Sequence, residues 1–211
     1  RVIAVLGATG AGKSTFIQRA TSSDKIIIGS TLRSCAYISV WPANINGVNV
    51  ALIDTPGFDD TERSDSEILE DVATWLAATF EQDILLSGMI FLEPVNANRV
   101  SGSEQRRIRL FEKICGKHAF SNVIIASTMW NTVAIWPSSR RTTRNLMKER
   151  TNTAGFWGQM MLHGARYEEH ADTKASALKI IRMLLQSEPR PLQLQVELQG
   201  NGSRLCLTTA G

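Results

Sequence analysis

The sequence predicts an α/β domain with a mostly parallel sheet, and three observations carry the prediction. Short apolar runs rich in β-branched residues recur at 2–6, 37–41, 48–53, 89–92 and 123–126, each of strand length. Segments with helical spacing lie between them, and alternation of buried strands with amphipathic helices is the pattern of α/β folds. A glycine-rich turn joins the first apolar run directly to the first helix. The 211 residues suit one domain, and 43% hydrophobic with 20% charged residues excludes disordered, collagen-like and coiled-coil classes.

Each helix follows from its spacing. After the first strand, Thr15-Phe-Ile-Gln-Arg19 opens a helix. The segment 66–81 repeats Ile68, Leu69, Val72, Trp75, Leu76 and Phe80 at three- and four-residue steps, with Glu67, Glu70 and Asp71 near its start, where the helix dipole favours acids. The segment 103–114 buries Ile108, Leu110, Phe111 and Ile114. The segment 173–186 offers Ala177, Leu178, Ile181, Met183, Leu184 and Leu185. Glu188-Pro-Arg-Pro191 stops that helix and Gly200-Asn-Gly202 breaks up the residues beyond it, so 1–187 is expected to be the domain and 188–211 a truncated or flexible tail. The chain opens on Arg1 without a signal-peptide pattern, as an excised domain or a truncated gene product would.

Composition narrows the function. Lys and Arg number 23 against 20 Asp and Glu, a net charge of +3, and no basic stripe interleaved with aromatics accompanies it. No nucleic-acid partner is expected. The longest apolar stretch, 84–92, is broken by Ser87 and Gly88 and is far below the roughly 20 residues that span a bilayer, so no transmembrane segment is expected in this chain. Cys35, Cys115 and Cys206 lack metal or disulfide spacing, and a reducing, cytoplasmic compartment is the expectation. His118, His163 and His170 show no ligand spacing. Arg106, Arg107, Arg109, Arg140, Arg141 and Arg144 read as solvated surface or a face for a weak acidic partner, not nucleic acid.

The strongest signal is Gly7-Ala8-Thr9-Gly10-Ala11-Gly12-Lys13-Ser14, which matches G-x-x-x-x-G-K-[ST] between a strand and a helix. Gly7, Gly10 and Gly12 let successive N–H groups line a nest around a β-phosphate, with the helix dipole behind it. Lys13 supplies a mobile charge to the β- and γ-phosphates, and the Ser14 hydroxyl can ligate Mg²⁺. A glycine-rich turn without chemistry would explain the glycines but not their place between strand and helix. The second signal is Val50-Ala-Leu-Ile-Asp54-Thr55-Pro56-Gly57. A strand ending in Asp puts a carboxylate at the C-terminal sheet edge, where open α/β folds bind ligands. Asp54 would hold Mg²⁺ through water, and Gly57 would offer its N–H to a γ-phosphate and tie down 58–64 only while that phosphate is present.

These two motifs, about forty residues apart, resemble the translation-factor-related class of P-loop GTPases. Asp54-Thr-Pro-Gly-Phe-Asp-Asp60 is most similar to the septin, avirulence-induced and chloroplast-import-receptor group and to filamentous-fungal G-domain proteins. Asn98-Arg99-Val-Ser-Gly102, Leu110-Phe-Glu-Lys-Ile-Cys-Gly116 and Ser127-Thr-Met-Trp130 extend the likeness, which runs to about Gln186. The resemblance implies a three-layer P-loop NTPase fold with helices on both faces of the sheet. It also implies GTP or GDP with Mg²⁺ as ligands, and a homodimer paired face to face across the nucleotide. In such a pair Arg99 would act in trans, neutralising charge on the phosphates; a solvated surface arginine is the alternative. The nucleotide-binding set is then Gly7, Ala8, Thr9, Gly10, Ala11, Gly12, Lys13, Ser14, Thr15, Asp54, Gly57, Thr128 and Asn131, with Lys13 and Arg99 catalytic and Ser14, Asp54 and Thr31 on the metal.

Four positions depart from the family pattern. Thr128-Met-Trp-Asn131 stands where Asn-Lys-x-Asp normally reads guanine, and an Asn for Asp weakens discrimination by roughly 1.5 to 3 kcal/mol. Met129 and Trp130 could flank the base or simply fill the core. A second base contact is expected from His170-Ala-Asp172. Ala36 falls where a Thr completes the metal shell, with Thr31 and Ser34 as nearby substitutes. Phe58 stands where many small GTPases carry a water-orienting glutamine, so catalysis must borrow a polar group. Thr9 fills the place of a glycine that admits an activator's arginine. Two readings stay open: an Mg²⁺-dependent GTPase switch, and a nucleotide-gated interaction module with negligible turnover. An ATP-using enzyme fits less well, because Asp-Thr-Pro-Gly belongs to the GTPase pattern.

Overall fold

Strand β1 (Val2–Gly7) sends Ile3 and Val5 to one apolar layer and Ala4 and Leu6 to the other, the period-two pattern of a strand covered on both faces. The computed structural model describes residues 1–22, 38–96, 102–133, 136–200 and 205–210. Around β1 lie β2 (Ser39–Ile45), β3 (Val48–Asp54), β4 (Gly88–Pro94), β5 (Val123–Thr128) and β6 (Arg166–Glu169), in the order β2-β3-β1-β4-β5-β6. Among the described residues only the β2–β3 pair is antiparallel within this sheet. It is a hairpin turned at Asn46-Gly47, both with positive φ, as its right-handed twist prefers.

Helices α1 (Lys13–Thr21) and α6 (Lys174–Leu185) cover one face through Phe16, Ile17, Ala20, Ala177, Ile180, Ile181 and Leu184. On the other face lie α2 (Asp65–Glu81) and α3 (Gly102–Cys115). The structure thus has the expected three layers. Ser64 and Glu67 close a reciprocal capping box at the start of α2, and Thr173 with Ser176 does so for α6.

Three helices depart from the sequence reading, and strand β6 lies outside the expected apolar runs. The polar stretch with Arg140, Arg141 and Arg144 is helix α4 (Pro137–Asn152), followed by the short α5 (Gly158–Leu162). Among the described residues of α4 only Met147 is buried, so no apolar period announces the helix. Charged contacts hold it instead: Arg144 grips Glu169 through two 2.8 Å bonds, and Arg150 pairs with Glu104 and donates to Glu93. The expected tail carries α7 (Gln193–Gly200), whose Leu194 and Leu198, with Leu192 before it, join the core against α2 and α3. Buried Gln195 accepts from the Leu192 N–H and donates to the Leu76 carbonyl. Residues 188–200 are therefore part of the packed body, not a loose extension.

Candidate functional site

The site begins where β1 runs out. Gly7, Gly10 and Gly12 all have positive φ, and Gly12 (φ 93°) caps α1, so the loop bends sharply as the helix starts. A Cβ on Gly7 would lie 2.7 Å from the Leu92 carbonyl of β4. Lys13 is 9% exposed and donates from Nζ to the carbonyls of Ala8 at 3.0 Å and Gly7 at 3.4 Å. Burial pulls its ammonium below the ordinary lysine value, opposed by the carboxylates of Asp54 and Asp60.

Asp54 ends β3 beside this loop. Its Oδ2 accepts from the Ser14 hydroxyl at 2.6 Å. Burial raises its carboxyl, while the Ser14 bond and Lys13 pull the other way. Two hard oxygen donors that close together fit Mg²⁺, a cation that takes one or two protein oxygens and fills its shell with phosphate and water. The next residues dock on the phosphate loop. Thr55 Oγ1 donates to the Val5 carbonyl at 2.9 Å. The Thr9 N–H donates to the Phe58 carbonyl at 2.7 Å and the Phe58 N–H to the Gly7 carbonyl at 3.2 Å, making a parallel bridge between the two motifs. Gly57 is pressed into that junction: a Cβ there would stand 2.6 Å from Thr9 N and Oγ1 and 2.7 Å from Lys13 Nζ.

A cavity of about 210 Å³ adjoins the loop at the start of α1. Ala11, Gly12, Thr15 and Phe16 form one wall, Thr128, Met129 and Asn131 a second, and His170 with Asp172 a third. The Thr128 hydroxyl donates to the Ala11 carbonyl at 2.9 Å, which ties the end of β5 to the phosphate loop. Met129 has φ 62°, and its methyl lies 3.6 Å from the Cβ position of Gly12. Trp130 is core, its indole N–H donating to Ser127 Oγ at 2.9 Å. His170 stacks edge-on against Phe16 with centroids 4.9 Å apart, and burial holds its imidazole below the ordinary value. A larger groove of about 770 Å³ runs along α2 to Leu198 and Leu205, remote from the loop.

The structure thus brings the residues from Gly7 to Thr15 together with Asp54, Gly57, Thr128 and Asn131. Thr31, Ser34, Ala36 and Arg99 lie outside the described residues. Arg107 is a correction: expected on the solvated surface, it is 7% exposed and ion-paired with Asp59. Sequence reasoning also passed over Asp60, whose Oδ2 accepts from Thr9 Oγ1 at 3.1 Å. The signal was present in the two acids that follow Phe58.

Residues 2–108 match the family model described as 50S ribosome-binding GTPase. No curated protein sequence matches the chain. Among solved structures, Toc33 from Arabidopsis thaliana in complex with GDP and Mg²⁺ superposes with a TM-score of 0.63 at 13% identity, covering 87% of this chain and 81% of that one. A structure described under the statement that dimerization is important for the GTPase activity of the chloroplast translocon components atToc33 and psToc159 gives 0.59 at 13% identity, covering 88% and 81%. The G domain of the T. maritima FeoB iron transporter gives 0.53 at 13% identity, covering 88% and 96%. At such identities the likeness is one of fold.

Proposed function

The chain belongs to the 50S ribosome-binding GTPase family, and on that premise we propose that it is a Mg²⁺-dependent GTPase whose 58–64 segment responds to the γ-phosphate. The observation that carries the reading is that Lys13 and Thr9 meet at Gly57 while the bonded pair Ser14 and Asp54 stands within the electrostatic reach of Lys13, at the C-terminal edge of the sheet. In this reading residues 1–187 form the nucleotide-binding domain. Backbone amides of the 7–14 loop and the N-terminus of α1 hold the phosphates. Lys13 leaves the Ala8 carbonyl for the β- and γ-phosphates. Ser14, and Asp54 through water, would hold Mg²⁺, which when bound neutralises phosphate charge, and Thr31 would complete that shell. The guanine enters the cavity between Thr128, Asn131 and Asp172.

The Toc33 likeness supports pairing of two copies across the nucleotide face, with Arg99 reaching the partner's phosphates. One observation favours the second reading, a nucleotide-gated module without turnover: the Phe58 ring is fully buried and offers nothing to water. Phosphate release from GTP at two protein concentrations separates them. A rate that rises with concentration and is lost in Arg99→Ala supports the dimer-activated GTPase. No release from fully bound GTP supports the module.

A further inference from the structure

We propose that Asp60 orients the attacking water for hydrolysis of the γ-phosphate, an inference that rests on the nucleotide reading above. Three successive side chains diverge after Gly57. Phe58 turns into the core against α2, where it is fully buried. Asp59, at φ 54°, turns to α3 and pairs with Arg107. Asp60 alone of the three returns to the phosphate loop, where its Oδ2 accepts from Thr9 Oγ1 at 3.1 Å. Its Oδ1 accepts from the Glu62 N–H at 2.9 Å, which fixes the carboxylate plane.

Two other groups tie this place to the phosphate site. Thr9 Oγ1 and Lys13 Nζ lie 2.6 and 2.7 Å from one point, the Cβ position of Gly57. Asp60, bonded to that Thr9 hydroxyl, is therefore next to the two groups that would meet a γ-phosphate, and in this proposal the attacking water lies between its carboxylate and that phosphate. The N–H of Glu62 and the Thr9 hydroxyl hold the Asp60 carboxyl below the usual carboxylate range. It is then a weak base that stays ionised and accepts hydrogen bonds, suited to aligning water and not to storing its proton.

In the step, the water oxygen bonds to the γ-phosphorus as the bond from that phosphorus to the β–γ bridging oxygen breaks. GDP departs with the electron pair. The water proton passes to a γ-phosphate oxygen, giving inorganic phosphate, and Asp60 ends as it began, a carboxylate.

The test is single-turnover hydrolysis of GTP with Mg²⁺ by the full chain, alongside titrations with GDP and a non-hydrolysable GTP analogue. In Asp60→Ala the saturating rate should fall by about 100-fold. Removing a negative charge beside the γ-phosphate should tighten the analogue about threefold while GDP affinity stays unchanged. Asp60→Glu should recover part of the rate, and Thr9→Val, which frees the carboxylate, should lose an intermediate amount. An unchanged saturating rate in Asp60→Ala overturns the proposal and leaves the residue a tether of the loop. Wild-type chain that holds GTP without hydrolysing it overturns the proposal as well. Failure of the wild-type chain to bind either nucleotide refutes the nucleotide reading itself.

Discussion

Gly57→Ala is the substitution whose cost the geometry states most directly. A Cβ at this position would stand 2.6 Å from the Thr9 nitrogen, where ordinary contact begins at 3.4 Å, so the two loops must separate by about 0.8 Å. The Thr9 hydroxyl and the Lys13 ammonium can swing aside, but a backbone nitrogen cannot. Separation breaks the Thr9 N–H to Phe58 carbonyl bond and the Phe58 N–H to Gly7 carbonyl bond, at 2.7 and 3.2 Å. Two backbone bonds are worth about 1 to 3 kcal/mol, and overpacking adds about 1 to 3 kcal/mol. Docking of 58–64 should therefore weaken by about 2 to 6 kcal/mol. In the proposed switch only a γ-phosphate uses the Gly57 N–H, so the loss should fall on GTP and spare GDP. Titration with GDP and a non-hydrolysable GTP analogue should show the analogue losing tenfold or more, roughly 1.4 kcal/mol, with GDP within about twofold. Equal affinities and an unchanged Tm in the variant would refute both the contact and the switch.

Other consequences rest on single residues. Lys13→Ala should abolish nucleotide binding while circular dichroism shows the fold intact; unchanged affinity would refute the phosphate site. Burial beside Glu104 pushes the Glu93 carboxyl up to about 8, against the attraction of Arg150 and Arg107. Between the ordinary carboxylate value and that pH the folded chain keeps a proton that the unfolded chain has lost. Stability should therefore fall as pH rises through this window, by at most about 1.4 kcal/mol per pH unit for one proton. Urea unfolding at pH 5 and pH 8 should show this slope in the wild type and its loss in Glu93→Gln. Leu194→Ala empties a fully buried position of α7 and should cost about 2 to 5 kcal/mol in the same assay. A loose tail would give no change.

Five of the six strands were legible because they hold apolar runs, and the major helices because they carry one apolar face; β6, Arg-Tyr-Glu-Glu and half-buried throughout, has no such run. The phosphate loop was legible because glycine, lysine and serine at that spacing have a chemical reason to be there. Helix α4 was not legible, since ion pairs to β6 and α3 and a hydrogen bond to β4 hold it and charged residues carry no period. Helix α7 was hidden behind Pro191, although Leu192, Leu194 and Leu198 show afterwards what anchors it. At the site, sequence alone could not divide Phe58, Asp59 and Asp60 among core, α3 and phosphate loop. Adjacent residues take opposite directions only once the backbone is fixed. Arg107 read as surface for the same reason: its partner lies 48 residues away.

Guanine nucleotide binding at the 7–14 loop is the central claim, and a competition titration of the full chain with GDP and ADP in Mg²⁺ tests it. GDP should bind more tightly than ADP, the complex should weaken when Mg²⁺ is chelated, and Lys13→Ala should remove it. Equal affinity for the two nucleotides would contradict the guanine assignment of the cavity at Thr128, Asn131 and Asp172. Binding of neither would contradict the phosphate loop as a working site.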